Sequence, residues 1–148
     1  MRPALVAALG GLVLVVAGCG GAPPTQAQFE AKTKAICARY TAQAERELPQ
    51  LDPTPPNETA IGLARFGRVI DRVESLFGRQ LEDLRRVQPP AESASEYRQV
   101  LRLYAQIQNA LARAGRAARK GDRAGIARIQ RELGELGARV DTLGFECE

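Results

Sequence analysis

Apolar residues recur every seven positions in one part of the chain: Leu63, Ile70, Phe77 and Leu84. Phe66, Val73, Gln80 and Val87 fall between them, so the steps alternate between three and four. That spacing puts all eight on one stripe of an α-helix. Val69, Leu76 and Leu81 widen the stripe. A helix with a broad apolar stripe is stable only when the stripe is buried, so partner helices are required. Asn57 is suited to cap the start of this helix, and Pro89-Pro90 stops it.

Three further helices supply the partners. The first opens at Thr25 with Gln28 three residues on, a capping-box arrangement. Phe29, Ile36, Tyr40, Ala44 and Leu48 then fall near one face, and the helix ends before Pro49. Residues 49–56 hold four prolines and read as a loop. The third helix starts around residues 90–95, with a seam of Tyr97, Val100, Tyr104, Ile107, Leu111, Ala114 and Ala118. Gly121 suits its C-terminal cap and Asp122 the next N-cap. The fourth helix carries Ile126, Ile129, Leu133, Leu136, Val140 and Leu143, and Gly144 ends it. Strand signals are nearly absent. The expected fold is all-α: an antiparallel up-down-up-down four-helix bundle over residues 25–148. The middle helices would each be about 40 Å long. Gly125, Gly134 and Gly137 inside helix four leave two readings open, close helix approach or simply a weak helix former.

The chain begins Met1-Arg2-Pro3, and no charge follows from Ala4 to Val16. A basic start followed by about 13 apolar residues has the form of a secretory signal peptide and is too short to span a membrane. Val16-Ala17-Gly18-Cys19 resembles a bacterial lipobox, with Val where Leu is common. The resemblance implies a diacylglyceryl group on the Cys19 sulfur and cleavage between Gly18 and Cys19. Residues 1–18 would be removed as the signal, and residues 19–24 would tether lipid to domain through Gly20-Gly21 and Pro23-Pro24. Two acyl chains hold a protein stably on a membrane surface.

Removing residues 1–18 of 148 leaves 130, enough for one domain. With Cys19 taken by lipid, Cys37 and Cys147 remain, in a chain bound for an oxidising compartment. One disulfide between them is the expectation and two free thiols the alternative. It would staple the last element to the first, with Phe145 packing on the bundle. Ile36-Cys37, the proline-interrupted helix pair and the closing Leu143-Gly144-Phe145-Glu146-Cys147 resemble a set of small helical lipoproteins from actinobacteria and relatives. That resemblance implies the fold, the disulfide and an extracytoplasmic, membrane-anchored location. It implies no activity.

Composition argues against several chemistries. The chain has no His, no Trp and no Met after the first residue. Haem ligation by His or Met, His-containing metal sites and His-based nucleophilic catalysis are therefore excluded. No glycine-rich phosphate loop follows a strand. No cofactor and no enzymatic activity are expected. Carboxylate pairs such as Asp71 with Glu74, or Glu132 with Glu135, sit among arginines and read as surface ion-pair formers. The net charge of +4 falls to about +3 when Arg2 leaves, which gives no ground for nucleic-acid binding.

The most uneven charge lies in residues 113–132. Arg113, Arg116, Arg119, Lys120 and Arg123 cluster there, followed by Arg128 and Arg131, against Asp122 and Glu132. In the bundle this hairpin falls at the end remote from Cys19. Two readings stand: a patch for an anionic partner, either a cell-wall polymer or an envelope protein, or a solvated surface. The solvated surface would use cations at a helix C-terminus and ordinary pairs such as Arg128 with Glu132 and Arg131 with Glu135. Arg65, Arg68, Arg72, Arg79 and Arg86 make a second basic line, where Arg79 can pair with Glu82 and Asp83. The expected role is a membrane-anchored binding or scaffold module; the alternative is a structural envelope lipoprotein with no specific ligand.

Overall fold

A computed structural model describes residues 23–48, 60–145 and Cys147. The signal segment 1–18 with Gly18, the lipidation residue Cys19, most of the tether and Asn57 lie outside the described residues. Four helices carry the fold: α1 (Gln26–Glu47), α2 (Ala60–Arg85), α3 (Ala94–Arg119) and α4 (Arg123–Asp141). A single 3-10 turn, Ala91–Ser93, leads from the Pro89-Pro90 corner into α3. The described residues contain no strand. The protein is an all-α helical bundle closed by one disulfide.

Local chemistry sets the helix ends. The Thr25 hydroxyl accepts from the Gln28 N–H at 3.3 Å, and the Gln28 side chain accepts from the Thr25 N–H at 3.0 Å. This capping box starts α1. At the far end of α3, Gly121 takes a φ of 70°, a conformation that favours glycine. Its N–H donates to the Ala118 carbonyl at 3.1 Å, and the Asp122 N–H donates to Ala117 at 2.9 Å. That pair of bonds is a Schellman motif. Asp122 then caps α4 by accepting from the Gly125 N–H at 2.8 Å. The α3–α4 connection is therefore as tight as the Gly121-Asp122 reading predicts.

α3 is the central helix, with its broadest interfaces on α2 and α4. The core has two layers of different character. Near the α3–α4 turn, Leu63, Ile126 and Ile129 pack on Ala110, Ala114, Ala117 and Ala118. A core of alanines demands close backbones, and glycines at the α2–α3 contact provide the space. A Cβ on Gly67 would lie 3.3 Å from that of Ala118, and one on Gly115 would run into the Asp71 carboxylate. The glycines of α4 do not serve this purpose. Gly134 and Gly137 face open space, and a Cβ on Gly125 would strike the capping carboxylate of Asp122.

The other layer is large and aromatic. Leu81, Leu84, Val100, Leu103, Tyr104 and Leu136 are buried there. Phe77 stacks on Tyr104 at 5.0 Å, and Phe29 meets Tyr97 edge-on at 4.8 Å. Phe145 of the tail reaches both tyrosines at 5.9 Å, as the fold-back of the tail requires. Cys37 is fully buried and bonded to Cys147, their Cα atoms 5.1 Å apart. The Gln80 side chain, the polar break in the α2 seam, donates to the Cys147 sulfur at 3.1 Å. Thr33 is also buried, one turn before Cys37, and its hydroxyl donates to the Phe29 and Glu30 carbonyls.

Asp83 ties α1 to α2 through polar contacts. The Asp83 carboxylate accepts from Arg39 and, at 2.8 Å, from the Tyr40 hydroxyl, and it also pairs with Arg86. Arg79, expected beside Glu82 and Asp83, instead donates to Ser75, and Glu82 pairs with Arg85. The reach of Arg39 and Tyr40 across from α1 leaves Asp83 shared between α1 and Arg86.

The disulfide spans 110 positions and is worth about 4 to 5 kcal/mol in the loop-entropy account. Reduction, or Cys37→Ser, is expected to lower Tm by roughly 10 °C or more. A calorimetric scan that does not move would refute this. Gly134→Ala, into open space on a helix, is expected to raise stability by about 0.5 to 1 kcal/mol, seen as a Tm gain of a few degrees.

Candidate functional site

The tight α3–α4 hairpin aligns the last turns of α3 with the first turns of α4. A shallow groove of about 510 Å³ runs between them. Arg113, Arg116 and Lys120 line it from α3; Asp122, Arg128 and Glu132 line it from the α4 side. Ala117, Gly125 and Ile129 form its floor, and all three are buried.

The acids in this groove are already committed. Glu132 accepts from Arg113 across the two helices at 2.5 Å, and Asp122 caps α4. Arg128 is therefore not the partner of Glu132 that helical spacing suggests. Arg116, Lys120 and Arg128 form no ion pair among the described residues. On the opposite side of α3, Arg119 pairs with Asp71 of α2. Asp71 is thereby drawn to α3, while Glu74 accepts from Gln108 at 3.1 Å. Arg119, Lys120 and Arg123 border an adjoining recess of about 450 Å³ over Leu63 and Ala118.

The five cations singled out in the sequence thus divide. Arg116 and Lys120 point into the α3–α4 groove without an acid partner. Arg113 lines the same groove but is neutralised by Glu132, and Arg119 is held by Asp71. Arg123 borders the second recess. Arg128 joins Arg116 and Lys120 although it lies in another helix. Helical spacing accounts for its place, since residues 125, 128, 129 and 132 fall on one side of α4 and line the groove.

A third recess, of about 340 Å³, lies at the other end of the bundle between α1, the start of α3 and the tail. Phe29, Tyr97, Val100, Leu143 and Phe145 give it an apolar wall, and Glu30, Lys34 and Glu96 ring it with charge. Tyr97 is a structural member of this wall, because its hydroxyl donates to the Leu84 carbonyl at 2.7 Å. That carbonyl lies in the last turn of α2, where it also accepts from the Val87 N–H at 3.0 Å. Burial raises the ionisation of Tyr97 well above the ordinary phenol value of 10.0, and the neighbouring Tyr104 adds to it. Burial likewise pushes Tyr104 up to about 12, helped by the negative charge of Asp141. Tyr40 is raised as well, by burial first and then by its hydrogen bond to Asp83.

These shifts fix a direction for alkaline stability. The folded state favours the neutral phenols, so their stabilisation is complete below the unfolded value near 10 and is lost as pH climbs from about 10 through 12. Tyrosinate absorbance at 295 nm is expected to show Tyr97 and Tyr104 ionising only as helical circular dichroism is lost. Smooth ionisation near pH 10 with the helices intact would contradict the packing described.

Compared with known proteins, the chain matches no family model, no curated protein and no solved structure.

Proposed function

We propose that the chain is a lipid-anchored, extracytoplasmic module that binds or scaffolds another envelope component. Cys19 carries the lipid, residues 19–24 form the tether, and the helical domain presents the α3–α4 tip to its partner. The apolar segment ending in Val16-Ala17-Gly18-Cys19 supports the anchor. The Cys37–Cys147 disulfide is consistent with an oxidising compartment.

One observation carries the proposal furthest: the start of the domain and its cationic tip lie at opposite ends of α3. The Ser93 hydroxyl at the foot of α3 donates to the Gln26 side chain at 2.7 Å, which places the start of α1 there. α3 then runs 26 residues, about 39 Å, to the turn at Gly121. A domain tethered before residue 25 thus projects its cations away from the tether. Among the described residues no helix is long and apolar enough to cross a membrane. The partners that suit the tip are an anionic cell-wall polymer or an acidic envelope protein. Binding rather than turnover is the role proposed, and reproducible turnover by the purified protein would overturn it.

A second reading, a structural envelope lipoprotein without a specific ligand, draws support from the ion pairs. Arg113–Glu132 and Arg119–Asp71 tie two of the five candidate cations into the bundle itself. In-cell crosslinking of the wild type and of Arg116→Glu/Lys120→Glu separates the two readings. A partner captured only by the wild type favours the binding module. Identical capture and an unchanged envelope phenotype favour the structural role. For the anchor, Cys19→Ala is expected to abolish palmitate labelling and release the protein from the membrane fraction. Continued labelling of that variant would remove the lipobox from the account.

A further inference from the structure

We propose that the α3–α4 groove binds a linear polymer of repeating phosphates, with Arg116, Lys120 and Arg128 as the residues that hold it. The inference rests on the binding-module reading for its biological setting, while its chemistry rests on the groove.

Charge placement is the first support. The groove is lined by four cations and two acids, and both acids are engaged, one with Arg113 and one at the α4 cap. Cations near the end of α3 are explained by the helix dipole, which favours them at a C-terminus. That explanation covers Arg116 and Lys120. It does not extend to Arg128, which lies in the second turn of α4, past the end that Asp122 caps. Arg116 and Lys120 are also like charges one turn apart, an arrangement that disfavours a helix by a few tenths of a kcal/mol. The hairpin therefore brings together three cations from two helices, none of them ion-paired among the described residues. An anion in the groove relieves that repulsion.

The lining then selects among anions. The floor offers Ala117, Gly125 and Ile129, with no aromatic side chain and no deep pocket for a protein anchor. Two guanidinium forks and an ammonium suit phosphate oxygens. All three cations are exposed, so each contact to a lone phosphate is weak in water. Useful affinity requires several phosphates held at once along the groove. Lys120 borders both recesses at the tip, so a chain leaving the α3–α4 groove passes over Lys120 toward the recess that Arg123 also borders.

The test uses the whole chain in detergent micelles and fluorescently labelled linear polyphosphate, read by anisotropy. Binding is expected to weaken steeply with salt and to be displaced poorly by orthophosphate. Arg116→Gln/Lys120→Gln/Arg128→Gln is expected to weaken it about tenfold or more, and Arg128→Gln alone about threefold. A control with the same charge loss elsewhere, Arg98→Gln/Arg102→Gln/Arg139→Gln, is expected to stay within about twofold of wild type. Circular dichroism melts confirm that each variant is folded; where the triple variant is not, the single variant decides. Equal losses in control and tip variants would reduce the effect to net charge and overturn the proposal. So would equal affinity for polyglutamate, which would make the site one for an acidic protein, equal affinity for orthophosphate, or no binding. Any of these failures, with palmitate labelling of Cys19 intact, leaves the anchored module standing and removes only its ligand.

Discussion

The Cys37–Cys147 bond joins two pieces that have limited noncovalent reason to stay in place. α1 buries only Phe29, Thr33 and Cys37, and its remaining face is exposed or half-buried. The tail contributes Leu143 and Phe145 to the core. Neither carries the broad apolar stripe that seats α2 against α3. Joined through sulfur, they form one lid over the aromatic layer, with Phe29 and Phe145 each meeting Tyr97. Gln80 marks the same spot from α2 by donating to the Cys147 sulfur. The polar break in an otherwise apolar seam is therefore filled by the disulfide.

Helix positions and caps were legible in the sequence because the signals are local. Periodicity of 3.6, a Thr25–Gln28 box and a Gly121-Asp122 turn all act within four residues. Ion pairing was much less legible. Spacing suggests Arg128 with Glu132 and Arg79 with Asp83, yet both acids are taken by residues from other helices, Arg113 and Arg39. Asp71 and Arg119, 48 positions apart, could be matched only once α2 and α3 were set side by side. Long arginines reach several acids at similar cost, so packing decides among them. Thr33 was overlooked because a polar residue gives no apolar signal, although its hydroxyl is satisfied by its own helix.

Glycine shows the same limit. The sequence directs attention to Gly125, Gly134 and Gly137, which lie close together in one helix. The close approach depends instead on Gly67 and Gly115, one in each of two helices. Their meaning emerges only with the alanine core at that end. This core also shapes the candidate site. Small side chains such as Ala117 bring α3 and α4 near each other, so cations on both helices border one groove. The aromatic layer at the other end shows the converse, with bulky rings and a recess walled mainly by apolar groups.

The position of the disulfide has a mechanical consequence. Cys147 lies beyond the last helix, and Cys37 lies only about three turns into α1. Tension between the two ends of the chain enters at α1, passes through sulfur and leaves at the tail. The 110-position loop holding α2, α3 and α4 lies outside that line of force. A pull from either end can therefore peel away the first part of α1 and still leave the α3–α4 tip under no direct stretch.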